Sequence, residues 1–335
     1  MKIISLFSGA GGFDLGFHKA GFKTIWANEF DPKIWDTFRC NFPSTFLDTS
    51  DIRKVNSDSI PDDIDGIIGG PPCQSFSGAG KGLGDKDDRG KLFFEYIRIL
   101  TDKMPKFFVA ENVAGLLHSK HLATREKIIS DFNELGYNVF FHLLNSNDFN
   151  VPQDRKRVFF VGYRNDLNAI FKVPNNCDYK PLLKDAIWNI KDSALSARDK
   201  NKTNGSTGNI LNHEYMHGGF SSMYMSRNRV RSWNEPSFTI QAGGRHAPIH
   251  PQATKMLKVK KDVMKFVDGK EDLYRRLSVR ECARIQTFPD EHEFKYIDLS
   301  DGYKMVGNAV PVNLAFSIAD QIKKDLQPFL QSCAD

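Results

Sequence analysis

The sequence predicts an α/β fold built on a mostly parallel sheet, joined to a smaller and less regular unit. Three observations predict it. Residues 1 to about 165 alternate short apolar runs with amphipathic ones, which is the pattern of βαβ units. From about Pro174 the alternation stops, and Asp199–Asn212 is rich in Asn, Lys, Gly, Ser and Thr, a loop composition. A helical pattern then returns over Pro311–Lys324.

In chain order, strands are expected at Lys2–Phe7, Thr24–Asn28, Ile64–Gly69, Lys106–Ala110, Asn138–Leu144 and Arg157–Gly162. Helices are expected over Lys91–Lys103, closed by Pro105, and over Leu122–Gly136. The division that follows is one domain of residues 1–175 and 300–335 around an insert of residues 176–299. In such sheets ligands sit at the carboxyl ends of strands, so the turns after each apolar run are where chemistry is expected.

Bulk composition excludes several classes. At 335 residues, 40% hydrophobic and 12% aromatic, the chain can bury a large core and is long enough for two domains. Its cysteines, Cys40, Cys73, Cys177, Cys282 and Cys333, are odd in number and form no CxxC pair. A disulfide framework or structural zinc is therefore not expected, nor any other metal, and a reducing compartment is. Met1–Phe7 turns glycine-rich before a signal-peptide core forms, and no apolar run of about 18 residues appears. A net charge of +5 suits a polyanionic partner without establishing one.

The first chemical signal is Phe7-Ser8-Gly9-Ala10-Gly11-Gly12, directly after the first strand. Glycines there turn the chain tightly and let the backbone approach a ligand. By itself the loop is equally well a plain strand-to-helix turn. A dinucleotide fingerprint needs a third glycine where Asp14 stands. Glu29, ending the second strand, is placed to bind ribose hydroxyls. Phe7 and Phe30 are placed to sandwich an adenine, and Asp51-Ile52 to accept from its amino group. This describes a nucleoside site without a phosphate cradle, which fits S-adenosylmethionine better than NAD.

The second signal is Gly69-Gly70-Pro71-Pro72-Cys73-Gln74-Ser75, a cysteine on a proline-stiffened loop at a strand end. A lone cysteine is ordinarily a small buried hydrophobe. Here Glu111, in Glu111-Asn112-Val113 after another buried run, offers a site acid. In Gln153-Asp154-Arg155-Lys156-Arg157, two arginines two residues apart are expected on one side of an extended strand.

These segments resemble the C5-cytosine DNA methyltransferases, and the match runs in order along almost the whole chain. Phe7–Gly12 resembles the cofactor loop, with Gly9, Gly11 and Gly12 in it. Glu29 and Asp51 match the ribose and adenine contacts. Pro71-Pro72-Cys73-Gln74 resembles the nucleophile loop and Glu111-Asn112-Val113 the acid motif. Gln153–Arg157 matches a Gln-x-Arg-x-Arg motif. Arg280–Gln286 resembles the segment supporting the recognition domain. Gly307-Asn308-Ala309-Val310-Pro311 resembles the last motif, which returns to the cofactor with Asn308 and Ala309. The resemblance implies a Rossmann-like, S-adenosylmethionine-dependent methyltransferase fold with an irregular, mainly β recognition domain in the insert. It implies a catalytic set of Cys73, Glu111, Arg155 and Arg157, and Pro72 beside the cofactor.

The implied reaction is demanding. Cytosine C5 is a poor nucleophile until a group adds at C6, the role the resemblance gives Cys73. A protonated Glu111 beside N3 offsets the charge this places in the ring, and Arg157 meets O2. None of these atoms is reachable in a stacked duplex, so the base must be flipped out. Residues 76–90, with five glycines, Lys81, Lys86 and Arg89, read either as a surface loop or as a lid. Ser77, Lys81 and Arg89 are its candidate DNA contacts.

Arg227, Arg229 and Arg245 are candidate base readers, arginine being the usual partner of guanine; each is otherwise a phosphate contact or a solvated charge. Alternation makes Arg227 and Arg229 a pair on one strand face. The segment Met225–Pro236 looks closest to enzymes that methylate GGCC, while Arg245–Ile249 departs from that pattern and keeps a CCGG-containing site in play. The expected partners are double-stranded DNA and, functionally, a cognate restriction endonuclease, with a monomer in the bacterial cytoplasm and no membrane. The competing readings are a tRNA cytosine-5 methyltransferase and a catalytically silent DNA-binding relative.

Overall fold

The computed structural model describes residues 1–71, 88–205 and 208–331, apart from the side chains of residues 88–91, 330 and 331. The elements are β1 (Lys2–Leu6), α1 (Gly12–Lys19), β2 (Lys23–Asn28), α2 (Pro32–Asn41), β3 (Phe46–Asp48), β4 (Gly66–Gly69), α3 (Asp88–Lys103), β5 (Phe107–Val113), α4 (Leu122–Glu134), β6 (Tyr137–Asn145) and β7 (Lys156–Arg164). All six expected strands and both expected helices are present, and β3 is added. The strands form one sheet in the order β3-β2-β1-β4-β5-β7-β6. Every neighbouring pair is parallel except those made by β7, which runs antiparallel to both β5 and β6. The reason is the short connection after β6. Asn145 pairs with Lys156, and ten intervening residues are too few for a crossover helix that would restore a parallel strand.

The central strands are apolar throughout because helices cover both faces. Ile3, Ile4 and Leu6 of β1, Ile67 and Ile68 of β4 and Phe107–Val109 of β5 are fully buried. On one face α1 packs against the C-terminal helix. Gly16 permits the approach, since a Cβ there would lie 2.4 Å from the Ala315 Cβ.

Asp14 occupies the first turn of α1 but does not cap it. Its carboxylate turns inward and accepts from Ser5 Oγ and Thr24 Oγ1, both at 3.1 Å, tying α1 to β1 and β2. Burial raises its pKa from 3.8 to about 6, against the two hydroxyl donors. A carboxyl raised this way favours folding while protonated, so its contribution is whole below pH 3.8 and is lost as the pH climbs through about 6. Asp14→Asn removes the titration and should gain on the wild type across that window by on the order of 3 kcal/mol. Thermal melts from pH 4 to 7 check this; a constant difference would refute it.

Beyond β7 the chain holds α5 (Leu183–Ile187), β8 (Leu195–Ser196), β9 (Glu214–Tyr215), β10 (Leu257–Lys260), β11 (Val263–Lys265), α6 (Val279–Ile285), α7 (Leu299–Asn308) and α8 (Val312–Gln331). Among the described residues, strand in the insert is limited to the pairs β8-β9 and β10-β11, so the expected irregularity outweighs the expected β content. Residues 183–197 and 277–306 share a core with Ala10, Ile34 and Val312. A separate small core forms from Tyr224, Val230, Ile249, Ala253, Met256 and Tyr274.

Candidate active site

A cavity of about 370 Å³ opens at the carboxyl ends of β1, β2, β4 and β5, where a sheet of this type places its ligand. Phe7, Gly9, Gly12, Glu29, Glu111, Arg155, Arg157, Asn308 and Ala309 line it. Expected site residues from five separate stretches of sequence thus meet in one place.

One end is built from the turn after β1. Phe7 adopts a left-handed φ of 55°, a strained conformation for a side chain of its bulk, of the kind that concentrates at binding sites. Gly9 follows with φ +55°, and a Cβ there would meet nothing within 4 Å, so the backbone faces open space. Glu29 leaves the end of β2 and accepts from Gly9 N at 2.9 Å and Asp31 N at 2.8 Å, one bond per carboxylate oxygen. Its pKa is raised by burial, against those two amides and Lys304. Each oxygen keeps acceptor capacity, which suits a vicinal diol. Among the described residues, Ser8 Oγ is buried without a partner. An orphaned hydroxyl, an open glycine backbone and a fixed carboxylate fit a nucleoside-bearing cofactor.

The other residues expected at this end are placed differently. Gly11, at φ +79°, turns the chain into α1, and a Cβ on it would strike the Phe42 ring. Phe30 is 63% exposed and, with Asp51 and Ile52, is not among the residues lining the cavity. Asp51 caps a short turn through Arg53 N and pairs with the Arg53 guanidinium. Ile52 is buried in the core. Phe30 is therefore not placed against Phe7 inside the cavity. Sequence reasoning missed Lys304 and Asp31, which line the wall and pair at 2.8 Å; no motif flagged them.

At the other end, Glu111 on β5 faces Arg157 on β7. Val113 pairs with Arg157 in the antiparallel register, and Arg157 Nε meets Glu111 Oε1 at 2.9 Å. Asn112 takes the opposite side of the strand, and its Nδ2 donates to Pro71 O at 3.3 Å. A side chain quoted only as part of a motif thus anchors the loop that leads to Cys73. Gly70 lets that loop pass: a Cβ on it would sit 3.3 Å from Glu111 Oε2. Pro72, Cys73, Ser77 and Lys81 lie outside the described residues, as does the side chain of Arg89 on α3.

Arg155 corrects an expectation. It precedes β7 and does not project alongside Arg157. Its Nη1 donates to Ile240 O at 3.0 Å, and its Nη2 to Gly307 O at 3.0 Å and Ala309 O at 3.1 Å. Burial, with Arg157 nearby, lowers its pKa to about 9, so it stays charged at neutral pH. Gln153 completes the clamp, accepting from Ile240 N and donating to Gln286 Oε1, both at 2.8 Å. Gln286 Nε2 in turn donates to Val306 O at 2.9 Å. Both backbone groups of Ile240 are thereby held, and the wall that ends in Asn308 and Ala309 is tied to the insert.

In the insert, Arg227 and Arg245 are exposed, as base readers must be. Arg229 is not paired with Arg227 on a strand face. It folds back, donating to Tyr224 O at 2.7 Å and Met223 O at 3.1 Å and lying over the Tyr224 ring at 4.6 Å. No strand forms there; a single bridge joins Val230 to Ile249. The Arg280–Gln286 segment falls on α6 and its C-terminal cap. Ser278 and Glu281 form a capping box on α6, and the fully buried Glu281 accepts two bonds from Arg275, each at 2.8 Å.

This sheet, with one reversed strand and a nucleoside cradle at the strand ends, defines the fold of S-adenosylmethionine-dependent methyltransferases. The chain belongs to the C-5 cytosine-specific DNA methylase family, whose sequence profile matches residues 1–324. It is 56% identical over 329 residues to the type II methyltransferase M.FnuDI of Fusobacterium nucleatum, covering 97% of this chain and 95% of that one. It is 52% identical to the type II methyltransferase M.NgoPII of Neisseria gonorrhoeae, covering 98% and 96%. Among solved structures, a protein assigned as a prophage DNA modification methyltransferase of E. coli superposes with a TM-score of 0.75 at 23% identity, over 98% of this chain and 99% of that one. At that identity the likeness speaks for the fold alone.

Proposed function

We propose that this protein methylates C5 of a cytosine flipped out of a short GC-rich site in double-stranded DNA, with GGCC as the first site to test and a CCGG-containing one as its competitor. It acts as the modification partner of a cognate restriction endonuclease, as a monomer in the bacterial cytoplasm. The supporting observation is a single cavity holding a nucleoside cradle at Glu29 and an ion pair at Glu111–Arg157. The type II designation of relatives above 50% identity supports the restriction–modification role. Residues 1–175 and 300–335 carry the chemistry and residues 176–299 target recognition.

S-adenosylmethionine, when bound, supplies an electrophilic methyl group. Glu29 and the Phe7–Gly12 turn would hold it, with Pro72, Asn308 and Ala309 alongside. The Cys73 thiolate adds to C6 of the flipped base, and the electron pair moves to C5. Arg157 donates to O2, and Glu111 bonds N3 and the N4 amino group. The Glu111–Arg157 pair opens as the base enters between them. Alkylation at C5 leaves S-adenosylhomocysteine; water then takes the C5 proton as the C5–H electron pair expels sulfur from C6, which returns the Cys73 thiolate and leaves 5-methylcytosine.

Incubation of unmethylated plasmid with protein and S-adenosylmethionine, followed by bisulfite sequencing, tests this. Conversion-resistant cytosines in one short motif are expected. Methylated tRNA with untouched DNA would move the substrate, and silence on both would indicate a binding protein without activity.

A further inference from the structure

The β10–β11 hairpin concentrates charge. Between residues 255 and 270 stand Lys255, Lys258, Lys260, Lys261, Lys265 and Lys270, against Asp262 and Asp268. The segment is net +4 in a chain of net +5. All six lysines are exposed. Lys265 is neutralised by Asp268 at 2.6 Å; none of the other five makes an ion pair among the described residues. Crowding uncompensated like charges on one small hairpin opposes folding, so the arrangement asks for an anionic partner.

The hairpin is rigidly seated beside the exposed Arg227. Asn228 Oδ1 accepts from Met256 N at 3.0 Å, binding the hairpin's base to the loop that carries that arginine. Phe266, just after β11, stacks on Tyr274 at 4.2 Å and meets Phe220 edge-on at 5.1 Å. Tyr224, in the same small core, donates to Ala247 O at 2.7 Å, next to the turn that bears Arg245. One packed unit therefore carries the lysines and the two exposed arginines.

We propose that this hairpin is a phosphate-tracking arm, gripping the duplex backbone outside the bases that are read. The inference rests on the assignment of duplex DNA as substrate. It adds a sequence-independent grip that supplies affinity without selecting the site.

The test compares wild type with a Lys258→Ala/Lys260→Ala/Lys261→Ala variant and with Asp262→Asn. Duplex affinity is measured across a KCl series, on a short duplex limited to the site and on one extended by flanking pairs. The triple variant should lower the salt slope by about 2 to 3, at near 0.9 for each phosphate it no longer neutralises. It should also bind the extended duplex no more tightly than the short one. It should keep the wild-type site and turnover at saturating DNA, with a Tm no lower than the wild type's. Asp262→Asn should move affinity the other way; Asp262 has φ 56°, which asparagine also tolerates. Lysines serving only to guard an exposed strand edge would leave slope and flank dependence unchanged, and that outcome overturns the proposal. A wild type without salt-dependent duplex binding would instead refute the DNA assignment itself.

Discussion

Cys73→Ser is expected to cut methyl transfer by about four orders of magnitude or more while leaving duplex affinity near the wild-type value. The chemistry allows little else. C5 of cytosine gains nucleophilicity only when a covalent bond forms at C6, and a serine hydroxyl is essentially un-ionised near neutral pH. Asn112 holds the carbonyl of Pro71, two residues before Cys73, and Glu111 and Arg157 pair at 2.9 Å in the cavity wall. Transfer of a radiolabelled methyl group to duplex, with binding measured in parallel, checks this. Undiminished transfer would remove covalent catalysis from the mechanism. Joint loss of transfer and binding, with an altered circular dichroism spectrum, would mean a misfolded variant; Cys73→Ala would then repeat the test.

Arg155→Leu is expected to destabilise the protein by on the order of 4 kcal/mol, since it strips three buried carbonyls of their donor at about 1–3 kcal/mol each. For a chain this size that lowers Tm by on the order of 10 °C. The acceptors, on Ile240, Gly307 and Ala309, belong to two segments far apart in sequence. The expectation separates an architectural role from direct engagement of the reacting base. Scanning calorimetry checks it. An unchanged Tm with collapsed turnover would return Arg155 to the chemistry.

Much of the catalytic half was legible because its logic is local. Buried parallel strands read as apolar runs, and a ligand site at their ends follows from the topology; Glu29 and Glu111, expected at such ends, both line the cavity. The errors at the arginines share one cause: spacing along a chain does not say where a long side chain ends. Arg155 and Arg157 are two residues apart, yet one reaches backbone carbonyls and the other a carboxylate. Arg229 could not be told from Arg227, because the decision lies in Tyr224, whose ring and carbonyl capture it. Lys304 and Asp31 were invisible because their meeting depends on α2 and α7 packing together across the width of the chain.

The grip on Ile240 has a consequence for mutation. The polypeptide re-enters the small recognition core just after that residue, its N–H and C=O both taken, and leaves it at Arg275, locked to Glu281. Gly307 presses against Gln241 so closely that a Cβ there would lie 2.3 Å from its backbone. The stretch between these two gateposts, together with Tyr224 and Val230, keeps its own apolar centre. On the proposed division of roles, mutations inside it change which bases are read without loosening the pocket, whereas mutations at the gateposts unsettle both at once.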